Sequence, residues 1–494
     1  MAQPMTELPR ASRRSVPRAV FSFPVMLASL LVLLMVLTVR ERFNDPDMWW
    51  HLKTGELIWN THCIPRFDPF SFTAFGKPWI AQEWLSEFTI YGAYHFDGYT
   101  GLMLWLCMFS GLFVVAAYVL CSLYAGNSKV GMLGAMVAWL FSTIGLAIRP
   151  HMFGYTLLVC ELILLHLGCC RNPRWLLALP PLFALWINVH SSFCFGLVIL
   201  FIVILCSWVE FDWGLLAARQ WGLGGRRMLL MASGLSLGAV FSNPIGPKLV
   251  WYPLDVMLNQ PINLQSVAEW QPTRLESPRG LGLLVVAGLI LLVPLLRRKS
   301  LALQELIFVA VGLLFAARHE RMLFTFGILA APILCRLLSD AWDQYEPDRD
   351  MPVPNAVIIG VASAAVFFAF PGFADLKKQV QDANPVKALA FIRQTRLSGP
   401  MLNAYIYGGY LIWAAPEKKV FVDGRADLYE SAGVLEEYGR WATLQADPKA
   451  VLDKYRINFC LLPSGFPIVR VLTLLPGWRS VYSDKMSSVF AREQ

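Results

Sequence analysis

The chain has 494 residues, 56% hydrophobic and only 15% charged, with a formal net charge of +8. A soluble protein carries about 25% charged residues, so the composition excludes a soluble enzyme on one anchor and reads as a polytopic membrane protein. The basic excess is read by location, because Lys and Arg collect in loops on one side of a membrane; it is not a footprint of nucleic-acid binding.

The basic segment 1–18 precedes an apolar run at 19–39, which is too long for a signal-peptide core and has no small-residue cleavage site after it. It reads as a retained first span with its basic end in the cytoplasm. Further apolar runs follow at 100–124, 130–148, 152–170, 175–189, 193–209, 228–244, 281–296, 301–317, 322–338 and 354–371. Together they predict about eleven transmembrane helices, each able to cross a hydrocarbon core of about 30 Å. Alternating from a cytoplasmic N-terminus puts Lys129, Arg171, Arg174, Arg219, Arg226, Arg227, Arg297, Arg298 and Lys299 in short inside loops, as the positive-inside rule requires. The acidic loop 339–352 departs from that pattern. Most of the ten cysteines fall in apolar runs with no paired zinc spacing and read as small membrane hydrophobes.

The outer ends carry the unusual chemistry. Ionisable groups at membrane depth are costly and line sites or wet cavities. The first outer loop, 40–99, is far too long for a plain connection. It opens with Asp45-Pro46-Asp47, which reads as a helix start with Asp45 as N-cap and Pro46 at the first position. His51, four residues after Asp47, shares its face. Asp45 and Asp47 are thus either site carboxylates or a cap and its neighbour, and Trp49 and Trp50 read as interfacial anchors. Glu83 lies between two tryptophans on a segment whose aromatics recur at helical spacing, as in a helix lying in the interface plane. It is either a second site carboxylate or a solvated residue.

Arg149-Pro-His151 and Arg318-His-Glu-Arg321 interrupt apolar runs at the same outer face. The planar guanidinium fork suits phosphate, whereas snorkelling to headgroups would distribute Arg over both faces. Asn188 and His190 form either a site pair or a hydrogen-bonded core pair. From about 375 the composition turns to that of a small α/β domain, with helices at 386–394 and 448–454 and strands at 401–403, 419–423, 458–462 and 488–491. Asp423-Gly-Arg-Ala-Asp427 follows one strand, and reads either as a ligand surface or as a turn held by an Asp–Arg pair.

The segments DPDMWWHLKTGELI, IPRFDPFSFT, WIAQEWLSE, RPHMFGY, WINVHSSFCFG, NPIG, AEWQPT, RHERMLF, YGGYLIW and VFVDGRADLY, in this order over most of the chain, resemble the GT-C superfamily of polytopic membrane glycosyltransferases, and within it a bacterial subgroup. The resemblance implies a multi-span domain at 19–374 and an extracytoplasmic α/β domain at 375–494. It also implies an inverting transfer of a sugar from a polyprenyl-phosphate donor to a glycan, lipid or protein acceptor, outside the bacterial inner membrane. By the same resemblance a first-loop carboxylate, Asp45 or Asp47 with Glu83 as a further candidate, is the base. Arg149, His151, Arg318 and Arg321 would hold the donor phosphate, and His51, Asn188, His190 and Glu269 the sugar or acceptor. Some members use a divalent metal; no complete acidic set is present here, and metal use stays open. The competing readings are a transporter or flippase, which predicts internal repeats that the sequence lacks, and a non-catalytic assembly protein.

Overall fold

The computed structural model describes residues 19–493, and the basic segment 1–18 lies outside the described residues. Every predicted apolar run falls on a helix, from Phe23–Val39 to Pro352–Ala369. Among the described residues, five helices are long and apolar enough to cross a membrane: Trp84–Ala125, Ser128–Gly145, His151–Cys170, Pro278–Arg297 and Pro352–Ala369. Phe23–Val39 and Phe193–Cys206 are shorter apolar helices. Local chemistry sets their starts. Asn127 Oδ1 accepts from the Lys129 N–H at 3.0 Å, and Ser277 Oγ accepts from the Gly280 N–H at 3.0 Å ahead of Pro278.

Small residues let these helices close on one another. A Cβ on Gly134 would stand 2.3 Å from Cys335 Sγ and 2.6 Å from Cys121 Sγ, and all ten cysteines are free. The helix Trp84–Ala125 packs against Phe23–Val39, Ser128–Ser142 and His151–Cys170. It breaks at Asp97–Gly98, where Gly98 has φ +52°, so its outer third can leave the line of the span.

The two ends of the bundle differ. At one end, Asp340 pairs with Arg297 at 2.8 Å and Lys299 at 2.7 Å. Asn127 donates to the Trp342 carbonyl at 3.0 Å, and Asp350 accepts the Phe23 N–H at 3.1 Å. The acidic loop that departs from the charge pattern is therefore at the same end as Arg297 and Lys299, and neutralises them. A three-stranded patch of Phe211–Asp212, Leu216–Ala218 and Leu301–Ala302 ties the same end together.

At the other end the loop 40–99 folds into a helix, Met48–Thr61, a turn around Asp68, and the start of Trp84–Ala125. The aromatics of that last segment do not simply face an interface. Phe88 stacks on Trp59 at 4.9 Å, Tyr91 meets the same ring edge-on at 5.8 Å, and Tyr94 meets Trp413 of the tail at 4.9 Å.

The tail carries a mixed sheet in the order Met401–Asn403, Phe459–Pro463, Ser487–Arg492, Trp478–Ser483, the first pair parallel and the others antiparallel. The helices Val386–Gln394 and Pro448–Lys454 lie where the sequence predicts them. The segment 419–423 is not a sheet strand. Its Val420 bridges to Ser71 of the outer loop, so its backbone finds a partner outside the tail. The tail helix Tyr405–Ala414 lies on Met48–Thr61. Gly409 permits this, since a Cβ there would stand 2.4 Å from the Pro46 carbonyl oxygen; Gly408 lets the same helix close on its own tail, where a Cβ would stand 2.1 Å from the Val422 carbonyl oxygen.

Candidate active site

The helix Met48–Thr61 starts two residues later than the sequence suggests, with Asp47 at the N-cap position and no side-chain cap bond. Asp45 instead accepts the Asp47 N–H at 2.9 Å, which fixes the turn and aims both carboxylates at Arg149. Arg149 sits in the turn before Pro150 and the helix His151–Cys170. Its Nε lies 2.8 Å from both Asp45 oxygens, its Nη2 3.1 Å from Asp47 Oδ2, and its Nη1 3.3 Å from Glu269 Oε1. Arg321 approaches the other Glu269 oxygen at 3.5 Å and stacks over Trp270 at 5.3 Å. Three carboxylates thus share two guanidiniums, with Arg149 engaged on every side and Arg321 less so.

Burial pushes the Asp47 carboxyl up to about 6, with Arg149 opposing the rise. Burial acts on Glu269 in the same sense, but Arg149 and Arg321 hold it below the usual carboxylate range. Arg149 is held well above its ordinary value, its burial outweighed by Asp45, Asp47 and Glu269.

Glu83, at the N-cap of Trp84–Ala125, has a different environment. Its Oε1 lies 3.3 Å from His190 Nε2 and its Oε2 3.9 Å from His51 Nε2. His51 turns its Nδ1 to Glu87 Oε1 at 3.0 Å, and His190 turns its Nδ1 to Ser192 Oγ at 2.8 Å. Burial keeps His51 and His190 well below the ordinary histidine value, with Arg149 adding to the effect at His51 and Arg321 at His190, so both rings are neutral. His151 stands 6.4 Å from the His190 ring, its Nε2 on the Gly145 carbonyl oxygen.

These groups surround one cleft of about 350 Å³. Trp50 lines it from the first loop, stacked on His51 at 3.6 Å between ring centres. Gln82 lines it with a buried Oε1 that has no hydrogen-bond partner among the described residues. Tyr252 lines it from Pro247–Asn259 and donates to Asp427 Oδ2 at 2.7 Å. The far wall is the tail, through Tyr405, Gly424, Arg425, Ala426 and Asp427. Gly424 is needed there because a Cβ would stand 1.8 Å from Asp47 Oδ1. The tail loop is pinned by Arg425, which is 1% exposed and pairs with Asp423 at 2.6 Å and Asp68 at 2.8 Å. The Asp–Arg turn read from the sequence is present, and the same segment lines the cleft.

The structure brings together Asp47, Glu83, His51, Arg149, His151, His190, Glu269 and Arg321 on the cleft, with Asp45 behind Arg149. Two predicted residues stand elsewhere. Arg318 is exposed and outside the lining. Asn188 accepts from Trp84 Nε1 at 2.9 Å and donates to the Ala184 and Ser242 carbonyls at 2.8 and 2.9 Å, a structural role. Trp49 and Trp50 are not interfacial anchors. Their helix is roofed by the tail, so Trp49 is fully buried and Trp50 faces the cleft. Gln82, Tyr252, Tyr405 and Gly424 are additional; Gln82 lies in the segment WIAQEWLSE and Gly424 in VFVDGRADLY, while Tyr252 carried no sequence signal.

Among the described residues no group of three or more His, Cys, Asp or Glu is arranged to hold a metal ion. The cleft carboxylates do not fit a divalent metal, because Asp45, Asp47 and Glu269 already face guanidiniums, which fill the place of the cation.

No family model and no curated protein matches the sequence. Solved structures do match. The Archaeoglobus fulgidus oligosaccharyltransferase, tethered with an acceptor peptide containing the NVT sequon, superposes with a TM-score of 0.57 and 13% identity over 96% of this chain and 75% of that one. ArnT from Cupriavidus metallidurans in the apo state gives 0.52 and 12% over 94% of this chain and 97% of that one. ArnT bound to undecaprenyl phosphate gives 0.50 and 14% over the same shares. Both are GT-C superfamily membrane glycosyltransferases. At these identities the likeness is one of fold, so this chain is an integral membrane protein with the GT-C fold.

Proposed function

We propose that the protein is a membrane glycosyltransferase that moves a sugar from a polyprenyl-phosphate donor to an acceptor hydroxyl or amide at the outer face of a bacterial inner membrane. About eleven spans, a cytoplasmic N-terminus and a periplasmic domain from 375 onward complete the reading. The observation that carries it is the cleft itself: a partly buried carboxylate, Asp47, paired with Arg149, and a second guanidinium, Arg321, on Glu269 across the same cleft, roofed by the tail. The neighbours with this fold add weight, one tethered to an acceptor peptide and one bound to undecaprenyl phosphate.

In this reading Asp47 takes the acceptor proton as the acceptor atom attacks the anomeric carbon, and the bond from that carbon to the donor phosphate breaks with its electron pair on the phosphate. The attack comes from the face opposite the leaving group, which inverts the anomeric centre. Arg321 is the principal phosphate partner, because Arg149 is already committed to three carboxylates. Arg149 positions Asp47, and Asp45 in turn orients Arg149. Trp50 and Gln82 meet the sugar or acceptor through a ring face and an unpaired carbonyl. The test is transfer from a radiolabelled pool of polyprenyl-phosphate sugars in membranes, comparing wild type with Asp47→Asn and Asp45→Asn at matched expression. Wild-type transfer that Asp47→Asn abolishes supports the reading; no transfer by wild type, or wild-type rates in both variants, refutes it.

A further inference from the structure

Asp47 and Glu269 each meet a guanidinium, and Asp427 accepts a tyrosine hydroxyl. Glu83 is different: among the described residues, the groups within ion-pair distance of its carboxyl are the two imidazoles of His51 and His190, one facing each oxygen. Those rings are themselves tied outward, His51 to Glu87 and His190 to Ser192, and Trp186 Nε1 donates to Ser192 Oγ at 2.9 Å. The result is a buried run of carboxyl, imidazole, carboxyl, imidazole and hydroxyl, with Glu83 at its centre on the cleft wall.

We propose that Glu83 is a catalytic acid in the transfer: its carboxyl proton passes to the donor phosphate oxygen as the bond to the sugar breaks, while His51 and His190 hold and re-aim the carboxyl. This rests on the glycosyltransferase reading. The step balances. The acceptor loses a proton to Asp47, the acceptor atom bonds to the anomeric carbon, the phosphate oxygen leaves with the bond pair, and Glu83 gives that oxygen a proton. The two carboxyls then stand in exchanged protonation states, and one proton passing from Asp47 to Glu83 through the open cleft restores both.

Charge favours this assignment. Asp45, Asp47 and Glu269 already outnumber Arg149 and Arg321, and an ionised Glu83 would add a further negative charge to a cleft that must admit phosphate. Protonated, it removes that charge and supplies a donor. The groups that face it act together. Burial pushes the Glu83 carboxyl up to about 8; Asp427 and Asp47 push the same way, and Arg321 and Arg149 oppose. Glu87 stands one turn along the helix, and both flanking histidines are neutral. Asp47, near 6, and Glu83, near 8, are therefore held in opposite protonation states at neutral pH, the arrangement that an acid–base pair requires.

The experiment is the initial transfer rate between pH 6 and 9.5, with the radiolabelled polyprenyl-phosphate sugar pool, for wild type, Glu83→Gln and Glu83→Asp. The wild-type rate is expected to fall above pH about 8, as Glu83 loses its proton. Glu83→Gln is expected to lose about 100-fold in rate with little change in donor KM and to lack that alkaline limb. The wild-type alkaline limb is a readout that stands even where Glu83→Gln does not fold, and Glu83→Asp, which keeps a carboxyl, should retain that limb with a smaller loss in rate. The assignment is overturned by a Glu83→Gln rate and limb equal to wild type, or by a wild-type rate that stays flat up to pH 9.5. Wild type that moves no label refutes the glycosyltransferase reading itself, and this assignment with it.

Discussion

Replacing Arg425 tests whether the tail is a wall of the cleft or an independent appendage. Arg425 is buried between Asp423 and Asp68, and its guanidinium lies over Trp79 at 4.7 Å and Phe70 at 5.1 Å. Arg425→Met keeps the stem and deletes the charge, leaving two buried carboxylates. Breaking such a pair costs about 3–5 kcal/mol. The lower end applies here, because both acids keep other donors. Asp68 retains the Phe70 and Ser71 N–H groups and the Ser71 hydroxyl, and Asp423 retains the Tyr429 hydroxyl. Loss of the ring contacts adds about 0.5–2 kcal/mol. The sum, about 4 kcal/mol, is large against the stability of a typical domain. The sign with pH is fixed. Without the guanidinium the unpaired carboxyls favour protonation in the folded state more than in the unfolded state, so stability is lost as pH rises. The variant should melt closer to wild type at pH 5 than at pH 8. Adding Asp68→Asn should recover part of the loss, because one stranded charge is removed. The assay is thermal unfolding in detergent at the two pH values, paired with transfer activity, which should fall with the displaced Gly424–Asp427 segment. A variant that melts like wild type at pH 8, or that unfolds the tail while transfer is unchanged, refutes both the ion-pair argument and the tail's place in the site.

Arg149→Lys should reduce kcat by about 100-fold or more while the protein remains folded, since a point charge cannot hold Asp45, Asp47 and Glu269 at once; steady-state transfer kinetics check this. Gly424→Val should abolish transfer with a smaller effect on melting than Arg425→Met, because the new side chain meets the Asp47 carboxylate before anything else; a fully active Gly424→Val would show that Asp47 is free to move. The acidic limb of kcat/KM should lie near pH 6, with activity rising as Asp47 loses its proton, and a limb near 4 would contradict the burial of that carboxyl. Glu161→Leu should raise the melting temperature by the equivalent of about 1–3 kcal/mol, because both Glu161 oxygens are buried beside Trp186 and Phe183 without a hydrogen-bond partner among the described residues; a lower melting temperature would mean that the carboxyl has a partner in the membrane.

Much of the arrangement was legible before any coordinates. The helices follow from apolar run length, and the single active face from where Asp, Arg and His interrupt those runs. Asp47, His51, Arg149, His151, His190 and Arg321 meet because span ends on one side of a membrane are neighbours whatever their separation in sequence. The failures have physical reasons. Arg318 and Arg321 are three residues apart and look equivalent, but the last turn of Leu303–Arg318 leaves Arg318 outside while Arg321 lies beyond the break, against Glu269. Asn188 reads like a site residue, yet its amide is consumed by Trp84 and two carbonyls that no local pattern reveals. Trp49 and Trp50 read as anchors because a sequence does not disclose that a helix some 350 residues later covers them.

The tail supplies the deeper reason why local reading stops short. Its contribution is backbone shape more than side-chain chemistry: Gly409 lets Tyr405–Ala414 close on Pro46, a single bridge joins Val420 to Ser71, and Gly424 makes room for a carboxylate. Each contact spans hundreds of residues, and the two at glycine depend on an atom that is missing. The result is that Asp47 and Glu83 sit in a cleft closed on one side by the tail. Burial then separates two chemically similar carboxyls, one near 6 beside a guanidinium and one near 8 between neutral imidazoles. The motif at the start of the chain supplies the acid groups, and the motif near its end closes one wall of the cleft in which they are buried.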